Sequence, residues 1–432
     1  MRADARAIVN AALRACDPGV LTGRALDSVL RSSSRIMQVS VIAAGKAAAG
    51  MLARLRADER VRIGDVVIAR GGHPLPDAAS VEAGEAAMRV ASAARSRGEP
   101  ILVLLSGGAS AMLELPPEGI SLDDLVALNR LLLASGLPIA PMNAVRKHAS
   151  AIKGGQLASA AGESITLAIS DVHAPIEDDP ASIGSGPTVA DPSTFAQAQA
   201  ALADAGVLDH APASVRDRLA RGVRGAVDET PKPGDRRLAR ARFVLVGSRR
   251  DAMDGAAKEA AARGFAVVTI EGPTLGEAAD AARGFVSRAA ELARGRRGAV
   301  CVIASGETTV TLDESDHGGH GGRNQEFAVE AASAIAALGP CVLASVGTDG
   351  VDGPTDAAGA IVDSSSAERA RALGIDLERA RDVHDTYPVL ASLGDLLITG
   401  ATGTNVGDVQ LLLLSGSGLE TAPQGARSAG VP

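Results

Sequence analysis

Short aliphatic runs that stop at a glycine, serine or aspartate recur along this chain, and alanine-rich amphipathic stretches separate them. The runs are residues 39–44 (VSVIAA), 65–70 (DVVIAR), 101–105 (ILVLL), 164–170 (SITLAIS), 242–247 (RFVLVG), 266–270 (AVVTI), 299–304 (AVCVIA) and 341–346 (CVLASV). Short apolar runs without polar alternation suit strands buried on both faces, and the helical stretches between them supply the crossovers that parallel strands require. The pattern predicts an α/β fold with a parallel sheet covered on both sides. Ligands of such open sheets bind outside the carboxyl ends of the strands, so the small and acidic residues found there are the first candidates for chemistry.

At 432 residues the chain is longer than a usual single core, which predicts two domains. The charged, proline-bearing stretch 228–237 (DETPKPGDRR) is the best linker, giving domains 1–235 and 236–414. The remaining tail, 415–432, is rich in glycine, serine, alanine and proline and reads as disordered. No apolar run reaches the roughly 18 to 20 residues of a bilayer span, and the first residues, MRADARAIVNAALRAC, mix charge into their aliphatics; this predicts a soluble, cytoplasmic protein without a signal peptide. A net charge of −8 and 1% aromatic residues speak against nucleic-acid binding, which needs a basic field and rings on which bases stack. Cys16, Cys301 and Cys341 lack metal-binding spacing and read as buried thiols of a reducing compartment.

Neither standard nucleotide fingerprint is present. The P-loop pattern fails at its candidate lysine, because Ser40 and Ala47 stand where glycine and a hydroxyl residue are required. A dinucleotide turn after the first strand lacks the acidic residue that should close the next one, which runs into Arg70 and GGHPLPD. What remains is Lys46, beyond a strand and at a helix start, where the helix dipole disfavours a cation unless an anion is near. Ser106, Gly107, Gly108 and Ser110 form a small-residue turn suited to pointing backbone N–H groups at phosphate. Read as one helix, 143–158 puts Asn143, Arg146, Ser150 and Lys153 on one basic face, an anion-steering surface or simply a solvated one. Asp171 ends a strand ahead of Glu177, Asp178, Asp179 and a second turn at Gly184, Ser185 and Gly186; carboxylates beside phosphate-binding glycines are what Mg²⁺ uses. In the second half, Arg323 follows a glycine run at another helix start, again calling for an anion. His317 and His320 in that run read as loop residues rather than ligands, and Asp349 and Asp352, set among glycines, suit a turn or a metal.

The segments AAGKAAAGM, GGHPLPD, LLSGGASAML, MNAVRKHASAIKGGQLA, DDPASIGSGPT, SGETTV, GGRNQE, GTDGVDGPTDAAGA and TGATGTNV occur in the order and spacing of one family. The chain resembles the class II glycerate 2-kinases, whose carboxyl-terminal part is a MOFRL domain, from about Ala7 to Leu414. The resemblance implies two α/β domains, a Rossmann-like parallel-sheet domain and a distinct carboxyl-terminal one, with the active site in the interdomain cleft. It implies transfer of the γ-phosphoryl of ATP to the 2-hydroxyl of D-glycerate, with Mg²⁺ as the ion. The family's functional lysine and arginine match Lys46 and Arg323, with Asp171 as a third catalytic candidate. Ser106, Gly107, Gly108, Ser110, Asn143, Arg146, Lys153, Gly184, Ser185, Gly186, Glu307, Thr308, Asn324, Thr404 and Asn405 are the implied nucleotide and phosphate contacts, and Asp349 and Asp352 the metal candidates. A hydroxypyruvate reductase and a non-catalytic sugar-phosphate-binding regulator are the alternatives, and monomer and homodimer both stay open. Four departures from the family pattern bear on its loops: Ala109 where a third glycine is usual, the longer HAPIE before Asp178, Ala401 for proline and Gly407 for asparagine.

Overall fold

The computed structural model describes residues 1–30, 36–312 and 319–415, so His317 and the expected disordered tail from 416 onward lie outside the described residues. The chain divides into two compact units: Arg14–Asp251 with Thr402–Val406, and Met1–Leu13 with Ala252–Ala401 and the chain from Gly407.

The first unit is built on β1 (Met37–Ala44), β2 (Val61–Ile68), β3 (Ile101–Leu105), β4 (Ser164–Ile169) and β5 (Ala241–Gly247), in the order β2-β1-β3-β4-β5. Every neighbouring pair is parallel. This is a doubly wound sheet, and its strand order reverses between β1 and β3, the point where open sheets of this kind leave a crevice at their carboxyl ends. All residues of β3 and β4 are buried, as unbroken aliphatic runs require. The helix Ala78–Arg97 lays Ala83, Ala87, Ala91 and Ala94 on the sheet; a capping box between Asp77 and Ser80 starts it, and Gly98, at φ 67°, ends it.

The second unit has β6 (Ala266–Thr269), β7 (Thr274–Glu277), β8 (Val300–Thr309), β9 (Cys341–Gly347), β10 (Gly359–Asp363), β11 (Leu396–Leu397) and β12 (Asp408–Leu414). Their order is β11-β10-β9-β12-β8-β6, with β7 also on β8. Here the sheet is mixed rather than parallel: β12, the last strand in sequence, inserts antiparallel between β8 and β9. Phe285 and Phe327 anchor its core against Val300, Val302, Leu343 and Leu412.

The units divide at 251/252 rather than at 235/236. Residues 228–237 are part of the first unit: Thr230 donates to Asp191 at 2.8 Å, the Asp191 amide donates to the Pro231 carbonyl at 2.8 Å, and the segment leads into β5 of the same sheet. All three cysteines are buried and none is in a disulfide, and burial pushes each thiol up to about 12. Among the described residues no helix is long and apolar enough to cross a membrane.

Candidate functional site

The strand-order reversal in the first unit brings the turns after β1 and β3 together. β1 leaves through Gly45, at φ 108°, whose missing side chain makes room for the Ser106 backbone and hydroxyl. Ser106 N donates to the Ala44 carbonyl at 3.0 Å, Lys46 N to the Gly107 carbonyl at 2.9 Å, and Ala47 N to the Ser106 hydroxyl at 3.0 Å. Lys46 is thereby fixed at its backbone while its side chain is exposed. His73, from GGHPLPD, lies at the same place: a Cβ on Gly108 would come within 3.1 Å of its ring, and partial burial together with the Lys46 charge holds it below its ordinary pKa.

Asp171 follows β4 by two residues and closes the third side. Its carboxylate occupies the space that any side chain on Gly107 would need, and it accepts from Asn405 Nδ2 at 3.3 Å. Asn405 and Thr404 reach this unit because residues 402–406 fold onto it; Thr404 is buried. Ala109 is already the first residue of the helix Ala109–Met112, and the positive φ of the turn falls on Gly108 at 84°. The alanine therefore meets no conformational demand for glycine. Gly407, in place of the family's usual asparagine, has φ 89°, a region both residue types tolerate.

A second cluster adjoins this turn. Ser110 Oγ lies 2.8 Å from Ser185 Oγ, which donates to Asn143 Oδ1 at 3.1 Å. Gly184, Ser185 and Gly186 all have φ between 57° and 60°, a left-handed run in which Ser185 is the uncommon member.

The segment 143–158 is not one helix. The helix Ile139–His148 stops before Gly154 and Gly155, at φ 60° and 84°, and a separate helix, Gln156–Ala161, follows. Its basic face is correspondingly not a solvated stripe. Lys153 is buried and ion-paired with Glu114, which also accepts from Ser150 Oγ at 2.6 Å. Burial lowers the Lys153 pKa and the Glu114 charge opposes that. Arg146 Nε donates to Asn129 Oδ1 at 2.9 Å.

In the second unit, Arg323 opens the helix Arg323–Ile335, as its position after the glycine run predicts. The anions it calls for are internal. Its Nε and one terminal nitrogen donate to the two oxygens of Asp408 at 2.8 and 2.9 Å, and the other terminal nitrogen pairs with Glu307 at 2.8 Å. Burial alone would lower the Arg323 pKa; Asp408, Glu307 and Asp352 hold it above its ordinary value. Asp408 itself is raised by burial, with Arg323 opposing.

Asp352 is a helix cap in this structure, which differs from its expected place as a metal ligand. Its two oxygens accept from the Asn324 and Gln325 amides at 3.0 and 2.9 Å, satisfying N–H groups that the helix start leaves open, and burial pushes its pKa up to about 6. Asp349 accepts from the Val351 amide at 3.2 Å within its own turn. Among the described residues no group of three or more His, Cys, Asp and Glu side chains is arranged to hold a metal. Asn324 is buried and accepts from Ser345 Oγ at 2.7 Å, and Thr308 is buried on β8.

Three further residues emerge only in three dimensions: His73 beside Lys46, Glu114 beneath Lys153, and Asp408 on Arg323. His73 carries a sequence signal, since GGHPLPD is one of the family segments; Asp408 lies two residues beyond another, TGATGTNV.

A doubly wound sheet with glycine turns, a lysine and a carboxylate at its strand-order reversal, together with a mixed α/β unit carrying a caged arginine, defines a class of two-unit α/β proteins. Residues 4–220 match the domain of unknown function DUF4147 and residues 300–408 the MOFRL family. The chain is 38% identical to the glycerate 2-kinase of Pyrococcus horikoshii, over 94% of this chain and 96% of that one. It is 36% identical to a protein of Agrobacterium vitis whose name provisionally assigns hydroxypyruvate reduction, over 95% and 93%. The crystal structure of the Thermotoga maritima glycerate kinase superposes with a TM-score of 0.79 at 32% identity, covering 95% of this chain and 98% of that one. The chain belongs to the glycerate 2-kinase family with a carboxyl-terminal MOFRL domain.

Proposed function

We propose that this protein is an ATP-dependent glycerate 2-kinase, transferring the γ-phosphoryl of ATP to the 2-hydroxyl of D-glycerate to give 2-phosphoglycerate and ADP. The observation that carries this reading is the joined pair of turns after β1 and β3, where Lys46 and the Ser106–Gly108 backbone stand at the strand-order reversal with Asp171 against Gly107. Phosphoryl transfer asks a protein chiefly for positioning and for neutralisation of charge on the transferring oxygens. Lys46 is the cation we assign to neutralisation, Arg323, held by Asp408 and Glu307, is assigned to positioning, and the glycine turn holds phosphate through backbone N–H groups without a P-loop.

Asp171 suits Mg²⁺, a hard ion that is commonly held by one or two carboxylates together with the substrate's phosphates. When bound, the ion supplies further neutralisation of phosphate charge. Asp352 is dropped as its ligand, because both its oxygens accept from backbone amides, and one oxygen of Asp349 accepts from the Val351 amide. Three buried thiols outside any disulfide accord with a reducing, cytoplasmic setting.

Purified protein incubated with D-glycerate, ATP and Mg²⁺ and coupled to enolase, which accepts 2-phosphoglycerate, is expected to turn over. A parallel arm with hydroxypyruvate and NADH is expected to show no reaction. Reduction in the second arm without phosphorylation in the first would overturn the reading.

A further inference from the structure

On the helix Ile139–His148, Asn143 and Arg146 stand three residues apart and share one face. Asn143 is 3% exposed; its Oδ1 accepts from Ser185, while its Nδ2 is buried without a partner among the described residues. Buried amides are ordinarily satisfied, so a donor kept waiting in this way points to a ligand. Ser185, which fixes the other end of the amide, is itself held in the left-handed region, where a non-glycine residue is uncommon and tends to mark functional backbone.

Arg146 supplies the charge. Its Nε donates to the neutral Asn129, and the carboxylate that acts on it, Glu114, is already bonded by Lys153 and by Ser150. Two cations thus share one anion, leaving a single net positive charge. Burial pulls both Arg146 and Lys153 below their ordinary pKa values, and Glu114 only opposes it, as expected where positive charge is incompletely matched.

We propose that the Arg146 guanidinium and the Asn143 amide form a subsite for a carboxylate, and that its occupant is the carboxylate of the phosphoryl acceptor. The assignment rests on the glycerate kinase reading above. One net positive charge matches a monoanion, whereas a phosphate chain carries several negative charges. Planar guanidinium and amide donors suit the two oxygens of a planar carboxylate. Ser110, which bonds Ser185, lies two residues beyond Gly108, so the subsite is continuous with the glycine turn in the same unit.

The test compares wild type with Arg146→Gln and Asn143→Ala, using D-glycerate, its neutral analogue glyceramide, and ATP. Calorimetric titration of D-glycerate is expected to show affinity falling at least tenfold in each variant. In steady-state assays the KM for D-glycerate rises at least tenfold, the KM for ATP stays within twofold, and the preference for glycerate over glyceramide collapses in Arg146→Gln. Unchanged glycerate affinity and unchanged preference would overturn the subsite; a rise in the KM for ATP instead would place a phosphate there and overturn the carboxylate assignment. If wild type binds glycerate and phosphorylates nothing, the kinase reading fails while the titration still decides the subsite. Should Arg146→Gln fail to fold, Arg146→Lys replaces it, since it keeps the charge and loses the paired geometry; retention of full glycerate affinity and preference there, with Asn143→Ala also unaffected, would overturn the proposal.

Discussion

Lys46 and Arg323 look alike in sequence, each a cation after small residues at a helix start, yet the two units treat them differently. Lys46 is tied down by its backbone and shows its side chain to solvent beside His73. Arg323 is caged, with all three guanidinium nitrogens on Asp408 and Glu307 and the helix start behind it capped by Asp352. A cation set against a helix dipole implies an anion nearby, and the difference teaches that this anion need not be a ligand. In the second unit the protein provides it. Arg323 is therefore held in one orientation before any substrate arrives, and Lys46 is the cation whose side chain the fold leaves at the surface.

The largest expected effect tests the cage. Asp408→Asn leaves the guanidinium without its buried bidentate partner, and removal of one member of such a pair costs about 3–5 kcal/mol. Urea unfolding is expected to show a loss of that order together with loss of turnover; stability within about 0.5 kcal/mol of wild type would mean that the cage holds nothing.

Next comes the cap. Folded Asp352 keeps its proton up to about pH 6, whereas its ordinary value is 3.8, so the folded state binds the extra proton between those limits. Its contribution to stability is fully present below about pH 4 and is lost as pH rises through about 6, by at most about 3 kcal/mol. Asp352→Asn is expected to flatten the dependence of unfolding free energy on pH across that window, and an unchanged slope would count against the buried, raised carboxyl.

A smaller effect belongs to Lys46. In Lys46→Ala, turnover is expected to fall by roughly two orders of magnitude, about 2.7 kcal/mol, with the melting temperature unmoved, because the turn is held by backbone groups. A lowered melting temperature would mean that the lysine side chain helps to hold the fold.

Arg323→Lys sharpens the contrast. Lysine keeps the charge but not the paired, parallel hydrogen bonds, so catalytic efficiency is expected to drop at least about tenfold, about 1.4 kcal/mol, and, unlike in the Lys46 variant, the melting temperature should fall with it. Full efficiency with a lowered melting temperature would make Arg323 purely structural.

What the sequence could show follows from the same physics. β3 and β4 stand at or within a residue of their sequence-predicted limits, because both are buried on each face and read as unbroken aliphatic runs. β2 starts four residues earlier than its run suggests, since it is an edge strand whose first half, VRIGD, is half-exposed and polar. β12 escapes detection although it lies at the centre of its sheet: it opens with Asp408 and Gln410, polar residues that nonetheless are fully buried. The placement of Lys46, Asp171 and the glycine turn at strand ends was legible, because the strands before them read as unbroken aliphatic runs. The partners Glu114 and Asp408 were not, because they meet Lys153 and Arg323 across 39 and 85 residues of chain, distances that no local period spans. The same blindness made Asp352 look like a metal ligand when it caps a helix 28 residues earlier.

The central claim is that this chain phosphorylates the 2-hydroxyl of glycerate by means of Lys46. Phosphorus NMR of the product formed from D-glycerate, ATP and Mg²⁺ tests it most directly, with Lys46→Ala run alongside. A phosphate on C2 couples to one proton and gives a doublet. The account predicts that doublet in the wild type and about a hundredfold slower appearance of it in the variant. A triplet, the mark of phosphate on the C3 methylene, or an equal rate in the two proteins, would contradict it.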